Sequence, residues 1–526
     1  MILVNSSPKD ALKIFQPFLP IAAPISVASL VAVAERDGLP VRLVDEQVER
    51  EDLVKVLCRM TGDMKPPYLF GFSVLTAAYL TALTAAKRLK DIYPDCVVCF
   101  GGPHPTALPE AVLAHPQVDV VVRGEGDAVF SELYRRLKSR STLDGLPGVS
   151  YRRGEEIISG PPPELILDLD SLPSMPYHHF ANGPYDMGFV MSSRGCPYRC
   201  IFCSNRVTTG KRYRFRNCES VLDDLQLLSG KYGQRSIGFF DDNFLVDKPR
   251  VYQLIEGIRR LGLDKKTAFG FQARGDNVDR ELLQELRAAN FQSIFFGLET
   301  ASEDLMKMLL KGETVAQCRE AVRIAKELGF VVDATFIFAL PGETHADRMN
   351  CARMSRELHL DLVRFNNATP YPGTRLFEIA KEEGRLNVRG EYENFCSVST
   401  FIENPFRKIP LSYVPKGATA NEIRYDILVS YLAFYLSWRR LKKIFVKPDT
   451  NAGWFVAGRS LWQFLKKVPA LVLLALLMTI KFIELFFAIM RGKNTKLSFR
   501  EVFGLLLRPG KKASSKSDPR PETSQT

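Results

Sequence analysis

The 526-residue sequence is poor in histidine, with six, and its ten cysteines are irregularly spaced outside one central run. Ten scattered thiols in so long a chain exclude a disulfide scaffold. No second C-x2-C or H-x3-H pair stands near the central run, which counts against a structural zinc site. No G-x-G-x-x-G is present in the glycine-bearing loops after the early strands, so a nicotinamide site is not expected. The first four hundred residues lack a long Lys/Arg run, so nucleic acid is not an expected partner. The start, Met1-Ile2-Leu3-Val4-Asn5, has no basic n-region, and the expected setting is a reducing cytoplasm. The formal charge is +12, and much of the excess lies in the last hundred residues beside apolar sequence, which points to a membrane surface. An apolar fraction of 46% and a charged fraction of 25% are those of a folded protein, with length for two or three domains.

What is present is the run Ser193-Arg194-Gly195-Cys196-Pro197-Tyr198-Arg199-Cys200-Ile201-Phe202-Cys203. Three thiolates at C-x3-C-x2-C spacing point to one soft metal centre. Iron–sulfur clusters usually take four thiolates, so three leave one iron open to a small ligand. Cys218 stands apart and reads as a small buried residue at a helix start.

Residues 1–140 alternate short apolar strands with helices. Strands are expected at Ile2–Val4, Val41–Asp45, Tyr68–Ser73, Cys96–Phe100 and Val118–Val122, and helices at Ile25–Glu35 and Ala77–Lys90. This is the pattern of an α/β, doubly wound, Rossmann-like parallel sheet. Ligands of such sheets sit at the carboxyl ends of strands. The candidate loops are Ser73 to Thr76, Gly101-Gly102-Pro103-His104 and Gly124-Glu125-Gly126. Residues 141–186 read as a linker crossing between domains, with a small hairpin around Gly154 and a break at Gly160-Pro161-Pro162-Pro163.

Residues 187–390 carry six strand signals: Phe189–Ser192, Ser236–Asp241, Ala268–Ala273, Ser293–Leu298, Asp333–Ala339 and Leu362–Asn366. With helices between, they fit a partial (β/α)6 barrel of the TIM type, whose chemistry lies at the carboxyl strand ends. The cysteine run follows the first strand directly. Met191, Phe239, Phe269, Phe271, Phe295 and Phe296 read as barrel core.

Strand, then C-x3-C-x2-C with Phe202 before the last cysteine, resembles the signature of the radical S-adenosylmethionine (radical SAM) superfamily. The Gly101-Gly102-Pro103-His104 and Arg123-Gly124-Glu125-Gly126 loops resemble those of the cobalamin-binding domain that precedes many such barrels. The resemblance spans about residues 1–390. It implies that Cys196, Cys200 and Cys203 hold three irons of a [4Fe-4S] cluster and that S-adenosyl-L-methionine chelates the fourth. It implies that Asp241 and Asp242 face the amino group of that cofactor, and that Arg274 clamps a carboxylate. It also implies that Glu299 offers hydrogen bonds to the nucleoside side and that Phe202 contacts the cofactor. The resemblance further implies cobalamin against Ser73, Thr76, Gly101, Gly102, Pro103, His104, Gly124, Glu125 and Gly126. No histidine here stands in the Asp-x-His-x-x-Gly motif that ligates cobalt in many relatives, so cobalamin is expected without a histidine lower ligand.

The C-terminal region, 391–508, reads as helical. A helix is expected over Asn421–Lys443, and Val468–Met490 is an apolar segment interrupted by Lys481 and Glu484, an i,i+3 pair. Its length approaches a bilayer span, but two internal charges favour a helix lying in the interface, or a core helix over the barrel. Residues 509–526, rich in Lys, Ser and Pro, are expected to be disordered.

The resemblance implies a cobalamin-dependent radical SAM methyltransferase of the class B type. The substrate expected is apolar, an isoprenoid or hopanoid lipid or a tetrapyrrole, methylated at an unactivated carbon through a 5′-deoxyadenosyl radical. The alternatives are an oxidative cyclase of a porphyrin-type substrate and a non-catalytic iron–sulfur carrier. Flavodoxin or ferredoxin is the expected electron donor, and the expected location is cytoplasmic, with peripheral contact to the membrane's cytoplasmic face.

Overall fold

Two largely parallel sheets form where the sequence offers short apolar runs, the first dry on both faces and the second with one polar face. The computed structural model describes residues 1–8, 21–397, 409–436 and 461–507. In the first sheet, β1 (Ile2–Asn5), β2 (Arg42–Asp45), β3 (Leu69–Ser73), β4 (Val97–Gly101) and β5 (Val120–Val122) pair in parallel in the order β2-β1-β3-β4-β5. Alternate residues serve opposite faces. Ile2 and Val4 pack with Leu83 and Leu89 on one side, while Met1 and Leu3 pack with Val31 and Leu133 on the other. Both faces are therefore dry, as expected of a doubly wound sheet.

The hairpin around Gly154 forms, but it does not belong to a free crossover. β6 (Val149–Arg153) pairs antiparallel with β5, and β7 (Glu156–Ser159) pairs with β6. The first sheet therefore has seven strands and runs to Ser159, beyond the expected boundary at 140.

In the second unit, β8 (Phe189–Val190) leads into a short antiparallel pair, β9 (Ser193–Arg194) with β10 (Arg214–Phe215). β11 (Ser236–Phe239), β12 (Ala268–Ala273), β13 (Phe291–Glu299), β14 (Val331–Phe338) and β15 (Leu362–Asn367) follow. The order is β8-β11-β12-β13-β14-β15, all parallel, an open six-stranded barrel. The outer face is packed by helices. Phe239, Phe269, Phe271, Phe291 and Phe296 are buried there with Leu254, Leu282 and Val322. Burying one such ring stabilises the fold by roughly 2–3 kcal/mol.

Phe295 is not part of that core. It lies one residue out of phase with Ile294 and Phe296 and is half-buried, with the Arg364 guanidinium 5.5 Å from its ring centre. Met191 is likewise half-buried, beside a small cavity between the two units. The inner, helix-free barrel face is lined by Gln272, Phe295, Asp333, Thr335, Arg364 and Asn366, which share the register of Phe295.

The open edge at β15 is covered by the helix Ala420–Tyr435. The Val363 and Phe365 N–H groups donate to the hydroxyls of Tyr435 (3.3 Å) and Tyr431 (3.0 Å). The Tyr435 hydroxyl donates to the Val363 carbonyl at 2.9 Å. Side-chain oxygens thus complete an edge strand that would otherwise template foreign pairing. The expected extension of this helix to Lys443 falls partly outside the described residues, as does the 509–526 tail.

The apolar segment forms the second half of one helix, Leu461–Met490. It is not a core helix, since only 17% of its apolar window is buried. Lys481 and Glu484 pair at 2.9 Å as the spacing predicts.

A charged cluster fastens these C-terminal helices to the barrel. Fully buried Arg348 lies 2.7 Å from Asp426 and 3.4 Å from Glu343. His345 bridges Asp426 (2.9 Å) and Glu501 (3.2 Å). Burial works to lower the His345 pKa, but the two carboxylates outweigh it and hold it above the ordinary 6.5. A raised folded-state pKa adds stability in full below that ordinary value and loses it as pH climbs through the raised one. Thermal stability is therefore expected to fall as pH rises above the ordinary histidine value, and His345→Gln to flatten that slope. Identical slopes for both proteins in thermal melts would remove this role.

Candidate active site between the two sheets

The cysteine loop is closed at its base by β9 and β10. Gly195 turns the chain with φ +86°, and a Cβ there would overlap the Arg212 carbonyl, so glycine is obligatory. Ile201, buried, donates from its N–H to the Leu309 carbonyl (3.0 Å) and accepts from Leu376 N–H (2.9 Å). The loop is thus pinned on two sides. Cys196, Cys200 and Cys203 are half-buried free thiols. Burial pushes the Cys200 thiol up to about 12, opposed by Lys311 and Arg274. Cys218 opens the helix Cys218–Gln226, half-buried and away from the run.

The donor set fits an iron–sulfur cluster better than zinc. A mononuclear zinc gathers its ligand atoms about 3.8 Å apart. Among the described residues, the group converging within 4.8 Å is Glu35, His178 and His179 at the surface, and the three cysteine sulfurs do not converge so closely. Phe202 packs half-buried against the barrel core, so it supports the loop from behind.

Around the loop the strand-end charges are largely committed to one another. Fully buried Asp241 accepts from the hydroxyls of Ser192 (2.9 Å) and Ser193, at the root of the cysteine loop. Burial raises its pKa, against those two hydroxyls. Asp241 therefore supports the loop through one oxygen, while its other oxygen has no hydrogen-bond partner among the described residues. Asp242 is exposed and accepts from Asn205 Nδ2.

Arg274 places its fork on Asp276, with two bonds of 2.9 Å, and donates to the Lys311 carbonyl at 2.5 Å. Its guanidinium lies 3.5 Å over the ring of Tyr198, between Cys196 and Cys200. Its clamp thus grips Asp276, and its face orders the loop. Glu299 ends β13 at φ +58°, a strained conformation for a non-glycine residue, at an irregularity in the β13–β14 register. One oxygen lies 3.1 Å from Lys311 Nζ; the other has no hydrogen-bond partner among the described residues. Lys311 also meets Glu313 at 2.8 Å. Burial works to lower the Lys311 pKa, but Glu299 and Glu313 outweigh it and raise it.

The first sheet presents its carboxyl edge to this region. Ser73, Gly101, Gly102 and Pro103 are half-exposed there, and Leu75 is exposed. Thr76 is buried, and its hydroxyl lies 3.3 Å from His104 Nδ1. His104 does not line the loop. It is 1% exposed, 4.1 Å from the Tyr79 ring and 4.9 Å from Tyr392, and burial lowers its pKa to about 4.

The third loop is committed to joining the units. Both oxygens of buried Glu125 accept from Arg214 at 2.7 Å. Asp127 takes Arg194 at 3.0 Å. These two arginines sit on β9 and β10, at the two ends of the cysteine loop. A Cβ on Gly124 (φ +72°) would meet Pro163 at 2.8 Å, so this turn packs on the linker. Glu125 and Gly124 thus fix one domain to the other, whereas half-exposed Gly126 has only Leu30 and Val122 of its own domain beside it.

Sequence reasoning missed Arg194, Arg214, Tyr198, Asp276, Lys311 and Glu313. It also missed a basic rim. A 480 Å³ cavity beside Cys200 and Cys203 is lined by Arg206, Lys211, Thr374, Arg375 and Glu378. Exposed Arg199 and Arg212 extend the basic surface.

Breaking the Glu125–Arg214 pair leaves a buried cation without its counter-charge, which costs about 3–5 kcal/mol. Glu125→Gln is expected to lower the unfolding midpoint and expose the 160–175 linker to protease. Adding Arg214→Met should restore part of the loss. An unchanged midpoint in Glu125→Gln would dismiss the clamp.

Two family models match, "Radical SAM superfamily" over residues 190–354 and "B12 binding domain" over residues 16–134. An uncharacterized methyltransferase of Pyrococcus horikoshii is 30% identical over 84% of this chain and 93% of its own length. The hopanoid C-3 methylase of Methylococcus capsulatus is 28% identical over 88% and 86%. Among solved structures, the radical S-adenosylmethionine methyltransferase TsrM of Kitasatospora setae, with tryptophan and an S-adenosylmethionine analogue bound, shares the fold. Its TM-score is 0.61 at 20% identity, covering 79% of this chain and 85% of that one. With a C-x3-C-x2-C loop on its first barrel strand and a Rossmann-like sheet clamped over it, this chain belongs to the radical SAM superfamily, in the group that carries a B12 binding domain ahead of the barrel.

Proposed function

We propose that this enzyme is a cobalamin-dependent radical SAM methyltransferase acting on an unactivated carbon of an apolar substrate, such as an isoprenoid or hopanoid lipid or a tetrapyrrole. The observation that carries the reading is the clamp: Glu125 and Asp127 hold the arginines at both ends of the cysteine loop. The carboxyl edge of the first sheet is thereby held against the barrel mouth, and a methyl donor and a radical source must meet over one substrate. The methyltransferase names of the relatives support it.

In this reading Cys196, Cys200 and Cys203 hold the [4Fe-4S] cluster. Asp242 and the unpartnered oxygens of Asp241 and Glu299 are the carboxylates that would receive S-adenosylmethionine. Ser73, Leu75, Gly101, Gly102 and Pro103 bear cobalamin. When bound, these cofactors supply the 5′-deoxyadenosyl radical and the methyl group. The chain's own residues orient and exclude water. Arg274 holds Tyr198 flat, Lys311 keeps Glu299 in place, and Gln272, Thr335, Asn366 and Arg364 offer polar contacts to a substrate inside the barrel. His104, enclosed by the Tyr79 and Tyr392 rings, would not be among the residues that hold cobalamin.

Anaerobic reconstitution followed by product analysis with labelled S-adenosylmethionine tests the reading. Both 5′-deoxyadenosine and S-adenosylhomocysteine are expected, and Cys200→Ala is expected to lose cluster absorbance and both products. Deoxyadenosine alone would favour the porphyrin-type cyclase, and neither product would favour a cluster carrier.

The electron donor is a flavodoxin or ferredoxin docking on the basic rim beside Cys200 and Cys203, and the enzyme works in the cytoplasm at the membrane face. Arg206→Glu with Lys211→Glu should raise the KM for flavodoxin about tenfold and steepen no dithionite-driven rate. Equal loss with both reductants would place the effect on the cluster instead.

A further inference from the structure

The Leu461–Met490 helix is about 45 Å long at 1.5 Å per residue. Nine of its exposed residues follow the helical repeat, Leu465, Pro469, Val472, Leu476, Thr479, Ile483, Phe486, Phe487 and Met490, with exposed Leu473, Ala475 and Glu484 flanking them. At 100° per residue this is one stripe along one side. Thr479 is its one polar member. The opposite side is occupied by protein. Leu474, Leu477 and Met478 pack on the barrel core, and Phe482, Leu485 and Ile489 pack with Val429, Ala433, Val502 and Leu505.

The two charges that interrupt the apolar run do not interrupt the stripe. Lys481 lies on the protein side with its side chain 13% exposed, and Glu484 at the edge pairs with it. The following helix, Phe499–Leu507, adds exposed Phe503 and Leu507, and Phe499 meets Phe486 at 5.1 Å. Between the two helices stand Arg491, Lys493 and Lys496, and Arg500 follows at the start of the second, with no acidic residue among 491–500.

We propose that this stripe is a monotopic membrane anchor that lies in the plane of an anionic bilayer, its Leu/Phe side at the acyl boundary and Arg491, Lys493 and Arg500 among the headgroups. A span would have to strip the inner side from the barrel. An in-plane helix keeps both sides satisfied. The proposal stands apart from the methyl-transfer reading, since it needs no cofactor, and the loss of one leaves the other intact.

Flotation of the full chain with preformed vesicles tests it. Binding is expected to phosphatidylcholine vesicles containing a third phosphatidylglycerol, at least tenfold stronger than to phosphatidylcholine alone and weakened by 1 M salt. Leu476→Glu with Ile483→Glu and Phe487→Glu should abolish binding and leave the thermal midpoint unchanged, since all three face outward. Arg491→Gln with Lys493→Gln should lose the preference for anionic lipid only. Protease added outside should cut at both flanks, near Lys467 and near Lys493. Protection of one flank alone would mean a span. A protein that stays off vesicles and sediments as a dimer, whose mass halves in the triple glutamate variant, would mean that a second copy covers the stripe. Either result overturns the proposal.

Discussion

The architecture depends on one buried ion pair. Glu125 and Arg214 are both nearly inaccessible and meet with two bonds of 2.7 Å. Removing two charges from water is expensive, and it is recovered only when both ends of each group are matched. That condition fixes distance and angle together. Glu125 leaves β5 of the first sheet, and Arg214 stands on β10 at the foot of the cysteine loop, so one pair sets how the two units face each other. The Arg194–Asp127 pair, with Ser29 donating to the same aspartate, repeats the constraint at the loop's other foot. A loop held at both feet from outside its own domain cannot shift without moving the first sheet.

The same economy recurs at the barrel mouth. Lys311 is held between Glu299 and Glu313, Arg274 between Asp276 and the Tyr198 ring, and Arg348 between Glu343 and Asp426. Each cation sits at or beside the carboxyl end of a parallel strand, where the barrel collects its polar chemistry. Preorganised charges of this kind act in a water-poor site without reorganising as the chemistry proceeds. The strain at Glu299, a left-handed residue ending the longest barrel strand, is tolerated because Lys311 and the buried strand over-determine it.

What the sequence made legible follows from range. Strands buried on both faces are apolar runs, so β1 and β3 are visible from their residues alone, while β12 and β14 show through the alternation of buried and lumen-facing residues. The cysteine loop is a local signal and is equally visible. Contacts that join distant residues leave no such trace. Glu125 reads as a loop carboxylate because Arg214, its partner, lies 89 positions away. Arg274 reads as an open clamp because the nearest acid, Asp276, is common turn chemistry. Phe295 and Phe296 are consecutive aromatics, and a strand with apolar residues at both phases does not reveal which faces the lumen. The hairpin at Gly154 is a local feature, but its pairing with β5 is not, and so the first sheet is longer than its apolar strands announce.

The C-terminal helix is the sharpest case of a signal inverted by phase. Read linearly, Lys481 and Glu484 break an apolar run and weaken a membrane reading. Placed on the helix, Lys481 turns to the protein and draws Glu484 to the edge, so both charges serve the side that is already covered. A charge on the protein side is solvated by the fold, whereas an apolar residue on the outer side has nothing to cover it. The helix therefore keeps its hydrophobic stripe whole by turning Lys481 inward and holding Glu484 at the stripe's edge, and the Tyr431 and Tyr435 hydroxyls that close β15 anchor the same layer to the barrel.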